Sequence, residues 1–145
     1  ARRCRRARWA PSGGSAVTAR ARGRRADWAP GRQEVIWIDC NPQAGREMRE
    51  VHPFLVLSPH EFTARTSLVV GLPMTTAAYN ADNPFAVAAG PAPGRPAGRT
   101  SYVLCHQPKS FDWRARGGKP HPMKRLPDGP FAEACGVLNQ IVQLG

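Results

Sequence analysis

The sequence predicts a mainly β (α+β) fold: a small, strongly bent antiparallel sheet with a C-terminal helix. Three observations predict it. Five short runs of apolar, aromatic and β-branched residues lie between turn signals over residues 34–106. One stripe near the C-terminus repeats at helical spacing. No apolar run approaches the roughly 18 residues of a membrane span, so the short runs read as core strands.

The elements follow in chain order. Residues 34–39 (EVIWID) mix apolar and polar positions and read as a strand. Asn41-Pro42 opens a polar loop that continues through Glu50. Residues 53–58 (PFLVLS) are apolar but too short for a helix, so a buried strand is expected. Ser58, Pro59 and Glu61 form a capping-box pattern for a short helix ending near Thr66. Residues 67–74 (SLVVGLPM) return to strand, with Gly71 marking a bulge or a close backbone approach.

Residues 84–89 (PFAVAA) and 100–106 (TSYVLCH) supply two more strands, joined by a connection rich in Pro and Gly. Ser110 to Arg116 read as a tight turn or short helix, with Ser110 and Asp112 as turn-formers. Pro120 and Pro122 confine any strand over 119–126 to a sheet edge. Asp128 is placed to N-cap the last helix, with Pro130 in its first turn and Glu133 near its positive end. Phe131, Ala134, Cys135, Leu138, Ile141 and Val142 then form one apolar face.

The length of 145 residues suits one domain. The formal charge is +11, but residues 1–32 carry ten Arg against Asp27 alone, +9, which leaves +2 for the rest. A uniformly basic nucleic-acid coat is therefore excluded, and the reading is a disordered Arg-rich extension (1–30) followed by a nearly balanced domain (31–145). Ala, Arg, Gly and Pro make up 24 of the first 32 residues. That composition fits a basic RNA-binding arm, a transit-like peptide, or translated sequence upstream of the native start. The third is the expectation.

Cys4, Cys40, Cys105 and Cys135 form no C-x-x-C pair. They read as reduced thiols of a cytoplasmic protein, with Cys105 and Cys135 in the core. The four His and four Cys show no metal-ligand spacing, so no metal or cofactor is expected. Ser58 lacks a G-x-S-x-G setting and reads as a cap, not a nucleophile.

Four segments occur in a telling order: EVIWIDCNPQAGREM, HPFLVLSP, GLPMTT and QPKSFDWRARG. Together, over roughly residues 31–145, they resemble the MazF/PemK toxins of bacterial toxin–antitoxin pairs. The last segment is the most specific, being similar to the family's Q-V-K-S-x-x-W-R-A-R-G stretch. The resemblance implies a barrel-like sheet of the plasmid-maintenance-toxin (CcdB/MazF-like) type and a homodimer. It implies cleavage of single-stranded RNA without metal, and a cognate antitoxin with an acidic, disordered tail.

Metal-free cleavage uses the RNA 2′-OH as nucleophile and yields a 2′,3′-cyclic phosphate and a 5′-OH, so DNA is not a substrate. It needs proton transfer and stabilisation of a charged phosphorane. The family motif has Arg before the Pro of the second strand and Thr or Ser at the end of the third. Here those positions are His52 and Thr75. His can move a proton near neutrality where Arg stays charged. Replacement by His therefore shifts the mechanism toward proton transfer or weakens the enzyme. Arg49 is the candidate for the missing cation, and Glu47 for orienting it or meeting the antitoxin.

The family commonly has an acid before the Gln of the last motif, where this chain has His106. His106 is read either as the partner of His52 in an acid–base pair or as a structural His at a strand end. Gln107 and Lys109 are candidates for base-edge and phosphate contacts. Asn41 and Gln43 lie in the loop that gates the RNA groove in a MazF-like fold. Trp113 and Arg114 offer stacking and charge for single-stranded RNA. The competing reading makes Trp113 a core anchor and Arg116 a solvated charge, and Trp37 is likewise read as packed. Two other functions stay open: a non-catalytic CcdB-like toxin that binds a protein such as DNA gyrase, and a weakened RNA- or antitoxin-binding relative.

Overall fold

The computed structural model describes residues 28–94 and 98–144. The expected disorder of residues 1–30, apart from 28–30, lies outside the described residues, as does Cys4. Among the described residues, seven strands and two α-helices follow one another. They are β1 (Glu34–Asp39), β2 (Val51–Val56), α1 (His60–Thr66), β3 (Leu68–Thr75), β4 (Ala86–Pro91), β5 (Thr100–Leu104), β6 (Lys109–Asp112), β7 (Lys119–Arg125) and α2 (Asp128–Val142). A 3-10 turn, Ala78–Asp82, leads into β4. The sheet order is β4-β5-β3-β2-β1-β7, with β6 also on β3 and every pairing antiparallel. β7 takes the edge that its prolines require.

The bend is made by β3. Its first half, Leu68–Gly71, pairs with β6, and its end, Met74–Thr75, pairs with β5. Gly71 sits where these pairings and β2 converge. A Cβ there would fall 2.0 Å from the Leu55 carbonyl oxygen and 2.6 Å from Phe54 Cε1. The expected close backbone approach is therefore real.

Strand alternation fills a core on each face of the sheet. Val35, Leu55, Leu72 and Met74 point to the side covered by α2. Ile36, Ile38, Phe54, Val56 and Val69 point to the other, where Phe111 and Trp113 close the cluster. The mixed texture of EVIWID thus reflects two buried faces. On α2, Ala134 is buried and Phe131 and Leu138 pack against the core, but Ile141 and Val142 remain exposed. The apolar stripe outruns the sheet beneath it. Among the described residues, no helix is long and apolar enough to cross a membrane.

Three local expectations are corrected. Neither helix has a side-chain cap, and the residues at the N-cap positions are Pro59 and Pro127. Ser58 accepts the Val70 N–H at 3.0 Å instead, tying β2 to β3, and Asp128 accepts from Gln33 Nε2 at 2.7 Å. Both side chains satisfy donors elsewhere in the fold in place of helix N–H groups. Residues 109–112 are a strand, since β3 has a free edge beside them, and the turn begins only at Trp113. Cys40 is buried with Cys105, while Cys135 is half-buried; the three are free thiols. Burial pushes the Cys40 and Cys105 thiols up to about 11, which makes them poor nucleophiles.

Candidate active site

A cleft of about 210 Å³ opens where β2 begins and β3 ends. Its walls include Trp37, His52, Thr75, Ser101 and His121, with Glu50 at its rim. The ladder explains the meeting of His52 and Thr75. Phe54 pairs with Pro73, so two residues further along the antiparallel strands His52 comes level with Thr75. His52 is half-buried, and burial lowers its pKa below the ordinary His value. The Met74 backbone, the Glu50 charge and the Arg49 backbone oppose that shift without cancelling it. A lowered pKa favours the neutral ring, the form able to accept a proton. Thr75 Oγ1 accepts the Ala77 N–H at 3.2 Å, which aims its own O–H elsewhere.

A second group lies around the β1–β2 loop. Arg46, Glu47, His106 and Gln107 line a shallow hollow. Glu47 and Lys109 are joined by an ion pair of 2.7 Å, so the carboxylate meets Lys109. The Lys109 hydrogen bond holds the Glu47 carboxyl below the usual carboxylate range, with help from the Ala44 backbone. Gln107 Oε1 accepts the Met48 N–H at 3.0 Å, which pins the loop and leaves the amide nitrogen free to donate. Asn41 Oδ1 accepts the Glu50 N–H at 3.0 Å and so fixes the loop's base. Gln43 Oε1 is buried without a hydrogen-bond partner.

His106 is exposed, with Phe85 tilted over it at 5.6 Å, and it does not line the His52 cleft. Arg49 is exposed too, and it is Glu50 that borders the cleft. The histidine that shares the cleft with His52 is His121, which the sequence reading left unassigned.

Of the two readings of Trp113, the structure bears out the core anchor and not the RNA platform. It is 6 % exposed, its Nε1–H donates to the Thr63 carbonyl at 3.0 Å, and Trp28 packs edge-on at 5.5 Å. Both faces are thus unavailable to a base. Arg114 lies over the Trp113 ring at 4.8 Å and keeps its charge at the surface. Arg116 is not a loose solvated charge. It stacks on Phe111 at 4.4 Å, donates to the Asp39 carbonyl at 3.0 Å and also reaches the Asn41 carbonyl. It holds the start of the loop to the turn after β6. Trp37 is packed as expected, on His121.

Among the described residues no three His, Cys, Asp or Glu side chains converge as a metal cage. The groups that line the cleft together, two imidazoles and the hydroxyl residues Thr75, Thr76 and Ser101, suit proton transfer and the stabilising of an anion.

Residues 31–142 match the family described as PemK-like, MazF-like toxin of type II toxin–antitoxin systems. Over 114 residues the chain is 33% identical to Endoribonuclease PemK of Escherichia coli, spanning 77% of this chain and 80% of that protein. The fold is similar to the crystal structure of MazF from Deinococcus radiodurans. The TM-score is 0.70 at 31% identity, covering 81% of this chain and all of the other. It is also similar to a chain of the MazE–MazF complex from the same organism, with a TM-score of 0.63 at 26% identity over 82% of this chain and all of that one.

Proposed function

The chain belongs to the PemK-like, MazF-like toxin family of type II toxin–antitoxin systems, and on that premise we propose that it is an endoribonuclease toxin that cleaves single-stranded RNA. The observation that supports this reading most is the meeting of His52 and Thr75 in one cleft at the β2–β3 ladder end. His52 takes the proton of the 2′-OH. The 2′ oxygen bonds to phosphorus as the bond from phosphorus to the 5′ oxygen breaks, and the departing oxygen takes a proton from water. Thr75 donates to the phosphorane. Lys109, Arg114 and the Gln107 amide, beside Asn41 and Gln43, bind the strand on either side. Arg49 and Glu47 act at the loop, Arg49 as a mobile cation and Glu47 as the counter-ion of Lys109.

A cognate antitoxin is the protein partner, and an acidic segment suits Lys109 and Arg114. The exposed Ile141, Val142 and Leu144 at the end of α2 are consistent with burial in a homodimer. The compartment that fits an RNA target and free thiols is the cytoplasm.

The test is incubation with single-stranded RNA in EDTA, followed by end-group analysis. A 2′,3′-cyclic phosphate and a 5′-OH are expected. Growth arrest without cleavage would favour the protein-binding toxin, and neither effect would favour an inactive relative.

A further inference from the structure

β7 does not pair with β1 residue for residue. Glu34 faces Arg125 and Ile36 faces Pro120, so Val35 alone stands against residues 121–124 of β7. Lys124, at φ 60°, turns the chain back into register. Such a bulge re-aims side chains and takes backbone donors out of the ladder. Here the Met123 N–H donates to Nδ1 of His121, at 3.0 Å. The His121 ring lies 4.5 Å from that of Trp37 and forms part of the wall of the His52–Thr75 cleft. It is only 5 % exposed. With Nδ1 taken up by its own strand's backbone, Nε2 is the ring nitrogen left for the cleft that the residue lines.

The Met123 contact fixes the chemistry of the ring. A neutral imidazole whose Nδ1 accepts a hydrogen bond carries its proton on Nε2. Protonation at Nδ1 would set a second N–H against that of Met123. Burial lowers the pKa of the ring as well. His121 is thus unsuited to carry protons back and forth but suited to hold one in place. A fixed neutral N–H donor in a partly dry cleft stabilises developing negative charge without reorganising.

We infer that His121 is a further catalytic residue beside His52 and Thr75, presenting a permanent Nε2–H donor to a non-bridging oxygen of the phosphorane that forms between them. The inference rests on the ribonuclease reading above. His121 keeps its proton throughout, while the 2′ proton goes to His52. The bulge acts as a device for aiming this donor.

Two substitutions separate the ring's two nitrogens. His121→Asn keeps an acceptor for the Met123 N–H but has no donor at the Nε2 position. His121→Gln places an amide N–H near that position. The substrate is an RNA oligonucleotide containing a site that the wild-type protein cuts. H121N should lose on the order of a hundredfold in kcat with KM nearly unchanged, and H121Q should recover roughly tenfold of it. Wild-type turnover in H121N, a loss confined to KM, or H121Q no better than H121N would overturn the inference. If both variants fail to fold, imidazole 15N spectra of the wild-type protein decide: an Nε2–H tautomer at neutral pH is expected, and an Nδ1–H tautomer or an imidazolium overturns it. Wild-type protein that does not cut RNA overturns the ribonuclease reading and this inference together, whereas active wild type with equally active H121N overturns this inference alone.

Discussion

Lys109 Nζ lies 2.7 Å from Glu47 Oε1, so the cation proposed to meet phosphate is held by a carboxylate of the neighbouring loop. Both side chains are partly exposed, and salt screens the pair. The hydrogen bond from Lys109 is the main reason the Glu47 carboxyl titrates low. Any stability from the pair is present above the unfolded pKa and is lost as pH falls through the lower folded one. If Lys109 binds phosphate as proposed, the larger consequence is for RNA, which then competes with Glu47 for it. Glu47→Gln should tighten RNA binding severalfold at low salt, and Lys109→Ala should weaken it and reduce the salt slope by about one. Equal affinities of E47Q and wild type in a salt titration would show that the pair does not compete with RNA.

His52 should leave its mark on the acid side of the pH–rate profile. Burial is the largest influence on its pKa and lowers it. A base with that shift stays neutral and active through neutrality and is lost only as pH falls below about 6.5. His52→Ala should lower kcat by about two orders of magnitude or more. His52→Arg should erase the acid limb, because Arg does not titrate in that range. Stability follows the same sign. For His52 and His121 the unfolded chain binds more protons just below about pH 6.5, so stability is full above that point and falls as pH descends to the folded values. A flat rate profile from mildly acid to mildly basic pH would reduce His52 to a positioning group.

Trp113→Phe separates packing from RNA contact. The indole N–H bonds the Thr63 carbonyl in a buried setting, so its loss leaves that acceptor unpaired at a cost of about 1–3 kcal/mol. Urea unfolding should report this loss. RNA affinity of the folded variant should match wild type, since the ring lies in the core and not on a base. A specific loss of RNA affinity with unchanged stability would restore the stacking role.

The sequence was most legible where a period or a proline decides the matter. EVIWID, PFLVLS and SLVVGLPM became β1, β2 and β3, and Pro120 and Pro122 put β7 at the edge. His52 and Thr75 were legible through their motifs, and the β2–β3 ladder places them together. The rest depended on tertiary partners. Ser58 and Asp128 have cap chemistry, but Val70 and Gln33 claimed their oxygens. Residues 109–112 look like a turn until the free edge of β3 recruits them. His121 has no motif; it reaches the cleft wall from the stretch of β7 where the β1–β7 register slips. The one available signal was a lone His between two prolines in an edge strand, the kind of place where bulges occur.

Gly71 carries the strictest stability prediction. Its φ needs no special freedom, and the demand is one of space. β2 and β3 approach so closely at Val56↔Gly71 that a methyl group would sit 2.0 Å from a backbone oxygen, Leu55 O, and 2.6 Å from the Phe54 ring. A flexible side-chain tip could swing aside, but the Leu55 carbonyl belongs to the same ladder and Phe54 is fully buried. Relief therefore requires the two strands to separate, which disturbs the pairing that carries His52 and Thr75 to the cleft. Gly71→Ala should cost at least about 3 kcal/mol, the upper end for overpacking a core. Variant protein that survives should show kcat lowered further than its folded fraction explains. A denaturant midpoint close to wild type would mean that the strands part more easily than this packing allows.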